Sequence, residues 1–120
     1  VANILNRVRQ PFNVNSFALA AAAAVLSDDA YLEKGRRVNK EGLVQVAEGL
    51  AVLGLSYIPS VGNFICFDVA GDGAKIYQAL LKEGVIVRPL ANYGMPHHLR
   101  VSIGLKSENQ RFLDALASVL

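Results

Sequence analysis

The stretch from residue 28 to residue 53 constrains the fold of this chain more than any other part of the sequence. Ser27-Asp28-Asp29 offers an N-cap and acidic side chains for a first helical turn, and Gly54 is a common helix terminator. Between these limits apolar residues recur at helical spacing, at Val38, Val44, Val46 and Leu50. The pattern predicts one helix over 28–53, about 40 Å long at about 1.5 Å per residue. Such a helix is longer than a domain of this size needs and is typical of a bridge between two domains.

The segment before this helix divides into two parts. Residues 1–15 contain Pro11 and no sustained period, which predicts a connecting arm. Phe17–Leu26 is rich in Ala and predicts a helix by propensity alone, with Asn15 or Ser16 as its cap.

After Gly54 the period changes from helical to extended. Strands are predicted at 56–58, 63–69, 85–87 and 99–103, with Pro89 stopping the third. A short helix at 73–83 has Asp72 as its cap, and a capping box at 107–110 opens a last helix. That last helix buries Phe112, Leu113, Leu116, Val119 and Leu120. Because short loops favour antiparallel pairing, the predicted fold class is α/β (an α+β sandwich), with a small, mainly antiparallel sheet covered by helices.

Composition excludes several function classes. Hydrophobic residues make up 52% of the chain, so it is not disordered, and this share predicts apolar surface that meets a partner or a missing domain. A net charge of +2 is too small for a nucleic-acid-binding face, and the longest apolar run, Phe17–Leu26, is shorter than the roughly 20 residues of a membrane span. We therefore expect no nucleic-acid and no membrane partner. The lone Cys66 favours a reducing, cytoplasmic setting.

Few side chains suggest chemistry of their own. We expect the lysines to lie on polar helix faces or in turns, without the burial that a nucleophilic lysine needs, namely Lys34, Lys40, Lys75, Lys82 and Lys106. Adjacent His97 and His98 point to opposite sides of an extended chain, so no metal site is predicted. Residues 71–73 lack the spacing of a phosphate loop and favour a helix cap.

Arg88 and Arg100 are the strongest site candidates. Each lies on or beside a predicted strand, and alternation places Arg100 and Ser102 on one face. A guanidinium on a rigid strand suits bidentate binding of carboxylate or phosphate. From the chemistry alone, an exposed or structurally paired arginine is the alternative at both positions.

Four motifs carry a resemblance to a known family. They are VRQPFNVN at 8–15, PSVGNF at 59–64, GVIVRP at 84–89 and LRVSIG at 99–104. In this order they resemble the C-terminal part of histidinol-phosphate aminotransferases, which are fold-type I pyridoxal-phosphate enzymes. The resemblance covers essentially the whole chain, and threonine-phosphate decarboxylases and aromatic aminotransferases share much of the pattern.

The resemblance implies a C-terminal small domain over 28–120, joined by the helix at 28–53 to a larger domain. Residues 1–27 would then be an arm and an Ala-rich helix from the large-domain side. In the family, the Schiff-base lysine and most ligands of pyridoxal 5'-phosphate belong to the large domain. The resemblance therefore implies that this chain, which begins with Val, is a piece of a longer homodimeric enzyme and is inactive alone, with no catalytic or cofactor-binding residue of its own.

By the same match, Arg100 would hold the anionic end of the substrates, which are glutamate and histidinol phosphate. Arg88 matches a second arginine facing that anion, and Asn13 and Asn15 match a segment near the active site. Two further readings remain from the residues: a stand-alone regulatory module that binds an anion or amino acid through the arginines, and a dimerisation module built on the Ala-rich helix.

Overall fold

The computed structural model describes residues 1–10 and 13–120, which form two compact units, Val1–Gly35 and Arg36–Leu120. The helices are α1 (Ala2–Val8), α2 (Ser16–Val25), α3 (Asp29–Val52), α4 (Gly73–Lys82) and α5 (Lys106–Val119). The strands are β1 (Tyr57–Ile58), β2 (Phe64–Asp68), β3 (Arg88–Leu90) and β4 (Met95–Ser102), with a 3-10 turn at Ala91–Tyr93. None of the helices in these described ranges is long and apolar enough to cross a membrane.

The unit Val1–Gly35 is helical, and its described residues are exposed. The predicted arm at 1–15 is wrong over Ala2–Val8, which forms α1 and in which Ala2, Leu5 and Arg7 have high helix propensity. Asn15 caps α2, since its Oδ1 accepts a hydrogen bond of 2.8 Å from the Ala18 amide. Pro11, one basis of the arm prediction, lies outside the described residues.

Helix α3 confirms the prediction for 28–53 to within one residue at each end. Asp28 Oδ1 accepts from the Tyr31 amide at 2.9 Å, which satisfies a free N–H of the first turn. Gly54 follows the helix with φ +72°, a left-handed conformation that glycine adopts without the steric cost other residues bear.

The sheet has the order β1-β2-β4-β3, with every pair antiparallel. This arrangement, with helices packed on the sheet, confirms the predicted fold class. The third predicted strand is wrong: residues 85–87 lie outside the sheet, and β3 comprises Arg88–Leu90. Pro89 does not stop the strand, because β3 is at the edge and pairs only with β4, so a missing N–H is tolerated there. β4 also begins earlier than predicted, at Met95, because Asp68 and Leu90 supply partners for its first half.

One face of the sheet is covered by helices. Alternation along β2 buries Ile65 and Phe67 on this face, together with Leu99 and Val101 of β4. From α3, α4 and α5 the buried apolar residues in the same cluster are Val46, Leu50, Leu80, Phe112, Leu113 and Leu116. The sheet therefore has a buried face under three helices and an opposite face that these helices leave uncovered.

Helix α5 begins at Lys106, one residue before the predicted capping residue Ser107. The capping box is therefore not at 107–110: the amide of Leu105 donates to Glu108 Oε2 at 2.7 Å, so Glu108 binds back to the helix start, while Gln110 donates to Asp114. Leu120 was expected on the buried side, but it is 54% exposed, although its amide still donates to the Leu116 carbonyl at 3.2 Å.

Candidate functional site

The open face of the sheet brings together residues that the sequence analysis singled out. Arg88 of β3 lies directly opposite Arg100 of β4, and Arg100 lies directly opposite Cys66 of β2. Residues directly opposite in a sheet project from the same face, so these three side chains form one row across three strands. The face is the one that alternates with buried Leu99 and Val101, so it points away from the helical side.

Arg100 is half-buried and Arg88 is exposed. Neither guanidinium forms a hydrogen bond or an ion pair with a residue in the described part of the chain. Two like charges placed directly opposite in a sheet repel each other. An anion between them relieves that repulsion and accepts bidentate hydrogen bonds, so the pair is suited to a carboxylate or phosphate.

Phe64 is a contact of Arg100 that the sequence analysis did not assign. The guanidinium carbon of Arg100 lies 4.8 Å from the centroid of the Phe64 ring. Phe64 is opposite Ser102, which makes Arg100 its diagonal neighbour. Alternation along each strand could have placed Phe64 and Arg100 on the same face. Their contact, however, depends on the register between the two strands, which cannot be read from the sequence.

His98 and Asp68 lie opposite each other in the next row of the same face. The Nδ1 atom of His98 is buried and has no hydrogen-bond partner among the described residues. Asp68 Oδ1 accepts from the Ala70 amide at 2.8 Å. His97 is on the other side of the strand, as predicted, and its Nδ1 is 2.5 Å from the Gly71 carbonyl oxygen.

Asn13 and Asn15 both belong to the unit Val1–Gly35. Asn13 Oδ1 accepts from Arg9 Nη1 at 3.2 Å, and Asn15 caps α2. Each asparagine is exposed and has a local structural role. Their closeness to an active site stays a prediction.

The residues present do not fit a covalently held cofactor. The lysines are exposed on helical surfaces: Lys34 and Lys40 on α3, Lys75 and Lys82 on α4, and Lys106 on α5. A lysine that reacts as an amine needs burial or a neighbouring cation to lose its proton.

Asp72 caps α4 as predicted, accepting from the Ala74 amide at 2.9 Å. The described residues include no group of three or more His, Cys, Asp and Glu able to hold a metal ion.

A groove of about 900 Å³ runs along the surface between α3 and α5. Apolar side chains line much of it, including Val38, Val44, Val52 and Leu105. It lies on the helical side of the unit, opposite the face that carries the arginine pair.

The family model described as aminotransferase class I and II matches residues 1–116. Over all 120 residues the chain is 64% identical to histidinol-phosphate aminotransferase 2 of Pseudomonas aeruginosa and 62% identical to that of Pseudomonas fluorescens (strain Pf0-1). Each alignment covers 100% of this chain and 32% of the relative, so the chain spans about a third of the length of these curated proteins.

Solved structures of aminotransferases also match this chain. The histidinol-phosphate aminotransferase of Clostridium acetobutylicum matches with a TM-score of 0.86 at 28% identity, covering 98% of this chain and 37% of that one. That of Sinorhizobium meliloti, solved in complex with pyridoxal-5'-phosphate, matches with a TM-score of 0.84 at 25% identity, covering 98% of this chain and 33% of the other. With a family model matched over nearly its whole length, this chain belongs to the class I and II aminotransferase family.

Proposed function

We propose that this chain supplies the substrate anion site of a histidinol-phosphate aminotransferase. The complete enzyme would transfer an amino group between glutamate/2-oxoglutarate and imidazole-acetol phosphate/histidinol phosphate, a reaction of histidine biosynthesis. Identity of 61–64% over the full chain to relatives carrying this name supports the assignment.

The observation that carries the proposal is the direct cross-strand pairing of Arg88 with Arg100 on the open sheet face. The substrates of the two half-reactions differ in their anionic ends, a carboxylate in glutamate and a phosphate in histidinol phosphate. Both groups present oxygens at the spacing of a guanidinium fork. One arginine pair can therefore hold either substrate in turn.

In this proposal Arg100 is the main anion ligand, because strand β4 is held between two neighbours and its position is rigid. Arg88 on the edge strand adds a second positive charge to the same anion. Asn13 and Asn15 belong to a segment near the active site. Residues 28–120 form the small domain, α3 is the helix that joins it to the larger domain, and residues 1–27 come from the large-domain side.

The cofactor of the complete enzyme would be pyridoxal 5'-phosphate, which supplies the electron sink for amino transfer. Exposure of every described lysine supports a cofactor site made by residues outside this chain. The chain alone would be inactive and would serve to bind and orient the anionic end of the substrate. We further propose a cytoplasmic homodimer for the complete enzyme.

The test is an activity assay of the complete protein that contains this chain. We expect amino transfer from glutamate to imidazole-acetol phosphate, measured as 2-oxoglutarate formation. The 120-residue chain, assayed in parallel with added pyridoxal 5'-phosphate, serves as the inactive control. Greater activity with phenylpyruvate, or carbon dioxide release from threonine phosphate, would contradict the substrate assignment and favour the related enzymes.

A further inference from the structure

We propose that Phe64 is a positioning residue for Arg100, whose ring holds the guanidinium in the orientation that binds the substrate anion. This inference rests on the anion-binding role proposed for Arg100. It assigns a separate function to a side chain on the neighbouring strand.

The geometry fits a cation–π contact. The guanidinium carbon of Arg100 lies 4.8 Å from the Phe64 ring centroid, within the roughly 6 Å over which such contacts are attractive. Both side chains are half-buried, so water screens the contact only in part. A guanidinium above a ring uses its flat face, which leaves its N–H donors free to bind an anion in plane.

The need for such a contact arises from Arg88. Because Arg88 is directly opposite Arg100, the two positive charges repel each other and favour rotamers of Arg100 that turn away from the site. The face of an aromatic ring carries negative charge density, so the Phe64 ring attracts the guanidinium and opposes that motion. The ring therefore keeps Arg100 in place while no substrate is bound.

Packing under the helices does not account for Phe64. Its neighbours Ile65 and Phe67 are buried and belong to the core, with Ile65 on the opposite face of the strand from Phe64. Phe64 is outside that cluster and remains half-buried on the open face. The face of its ring contacts the guanidinium of Arg100.

The experiment uses the complete enzyme with its cofactor. Phe64→Leu removes the ring and keeps apolar volume, whereas Phe64→Tyr keeps the ring. Tyr57→Leu is the matched control, because it removes an aromatic ring from the same sheet at a position opposite core residue Phe67. Each variant is measured for the KM of glutamate and of histidinol phosphate, for kcat, and for inhibition by inorganic phosphate.

We expect Phe64→Leu to raise both KM values and the phosphate inhibition constant about three- to tenfold, with kcat changed less than about twofold. Phe64→Tyr should restore the wild-type constants, and Tyr57→Leu should leave them unchanged. In an Arg100→Ala background, Phe64→Leu should have no additional effect on anion binding, because the group it positions is gone.

Two results would overturn the inference while leaving the proposed function in place. The first is that Arg100→Ala weakens anion binding whereas Phe64→Leu leaves anion binding unchanged. The other is an equal loss from Phe64→Leu with and without Arg100, which would indicate a general structural role. If Arg100→Ala itself leaves anion binding unchanged, the proposed anion site is wrong, and the positioning role is wrong with it.

Discussion

The side-chain amide of Asn109 on α5 donates to Gln45 Oε1 on α3 at 3.2 Å. Asn109 is only 3% exposed, and it also bonds both backbone groups of Gly104: its Oδ1 accepts from the Gly104 amide at 2.9 Å and its Nδ2 donates to the Gly104 carbonyl at 3.2 Å. One buried amide thus joins α3, α5 and Gly104, which lies two residues after the end of β4, the strand that carries Arg100. This network ties the segment that follows β4 to helices α3 and α5.

We expect Asn109→Ala to lower the free energy of unfolding by about 1–3 kcal/mol, because it leaves the partly buried amide of Gly104 without its acceptor. Urea denaturation followed by circular dichroism measures the loss. Gln110→Ala is the control: its hydrogen bond to Asp114 is exposed, and a change under about 0.5 kcal/mol is expected. If Asn109→Ala lowers the free energy of unfolding no more than Gln110→Ala does, the network contributes little to stability.

Gly42 marks a close approach of α3 to the rest of the unit. A Cβ there would lie 2.8 Å from Asn109 Nδ2 and would overlap the Ile103 side chain. We expect Gly42→Ala to destabilise the unit by about 1–3 kcal/mol, even though alanine favours a helix by about 1 kcal/mol over glycine. Gly35→Ala on the same helix meets nothing within 4 Å and should stabilise it. Thermal unfolding of both variants checks the opposite signs, and stabilisation by Gly42→Ala would contradict this packing.

Leu116 and Leu120 test the end of α5. Leu116 is fully buried and Leu120 is 54% exposed. Leu116→Ala should cost about 2–5 kcal/mol through the cavity it leaves, whereas Leu120→Ala should cost less than about 1 kcal/mol. Urea midpoints of the two variants give the comparison. A loss of stability from Leu120→Ala as large as that from Leu116→Ala would contradict the exposed position of Leu120 and support the buried position that the helical period predicts.

Long, strongly periodic elements could be predicted from the sequence. The bounds of α3 and α4 follow from caps and terminating glycines, signals that act within a few residues of each helix end. The extended period likewise predicted strand β2, at 63–69 against the observed Phe64–Asp68. Local chemistry decides these features, so the sequence is sufficient for them.

Strand β3 shows where local reasoning ends. The β-branched run at 85–87 has the composition of a strand, but the pairing with β4 involves Arg88–Leu90 instead. The edge position that tolerates Pro89 is a property of the strand order, which local patterns do not contain. The same limit applies to the site: the candidate arginines could be named, but their direct opposition and the Phe64 contact depend on the register.

The most direct test of the central claim is the effect of Arg100→Ala on the amino donors of the two half-reactions of the complete enzyme, glutamate in one direction and histidinol phosphate in the other. Arg111→Ala is the matched control, since Arg111 lies on α5 and donates to the Glu83 carbonyl at 3.1 Å. We predict that Arg100→Ala raises the KM of glutamate and of histidinol phosphate together, about 10- to 100-fold, because a hydrogen-bonded ion pair is lost from each. Unchanged KM values for both substrates, or a loss no larger than that of Arg111→Ala, would contradict the account.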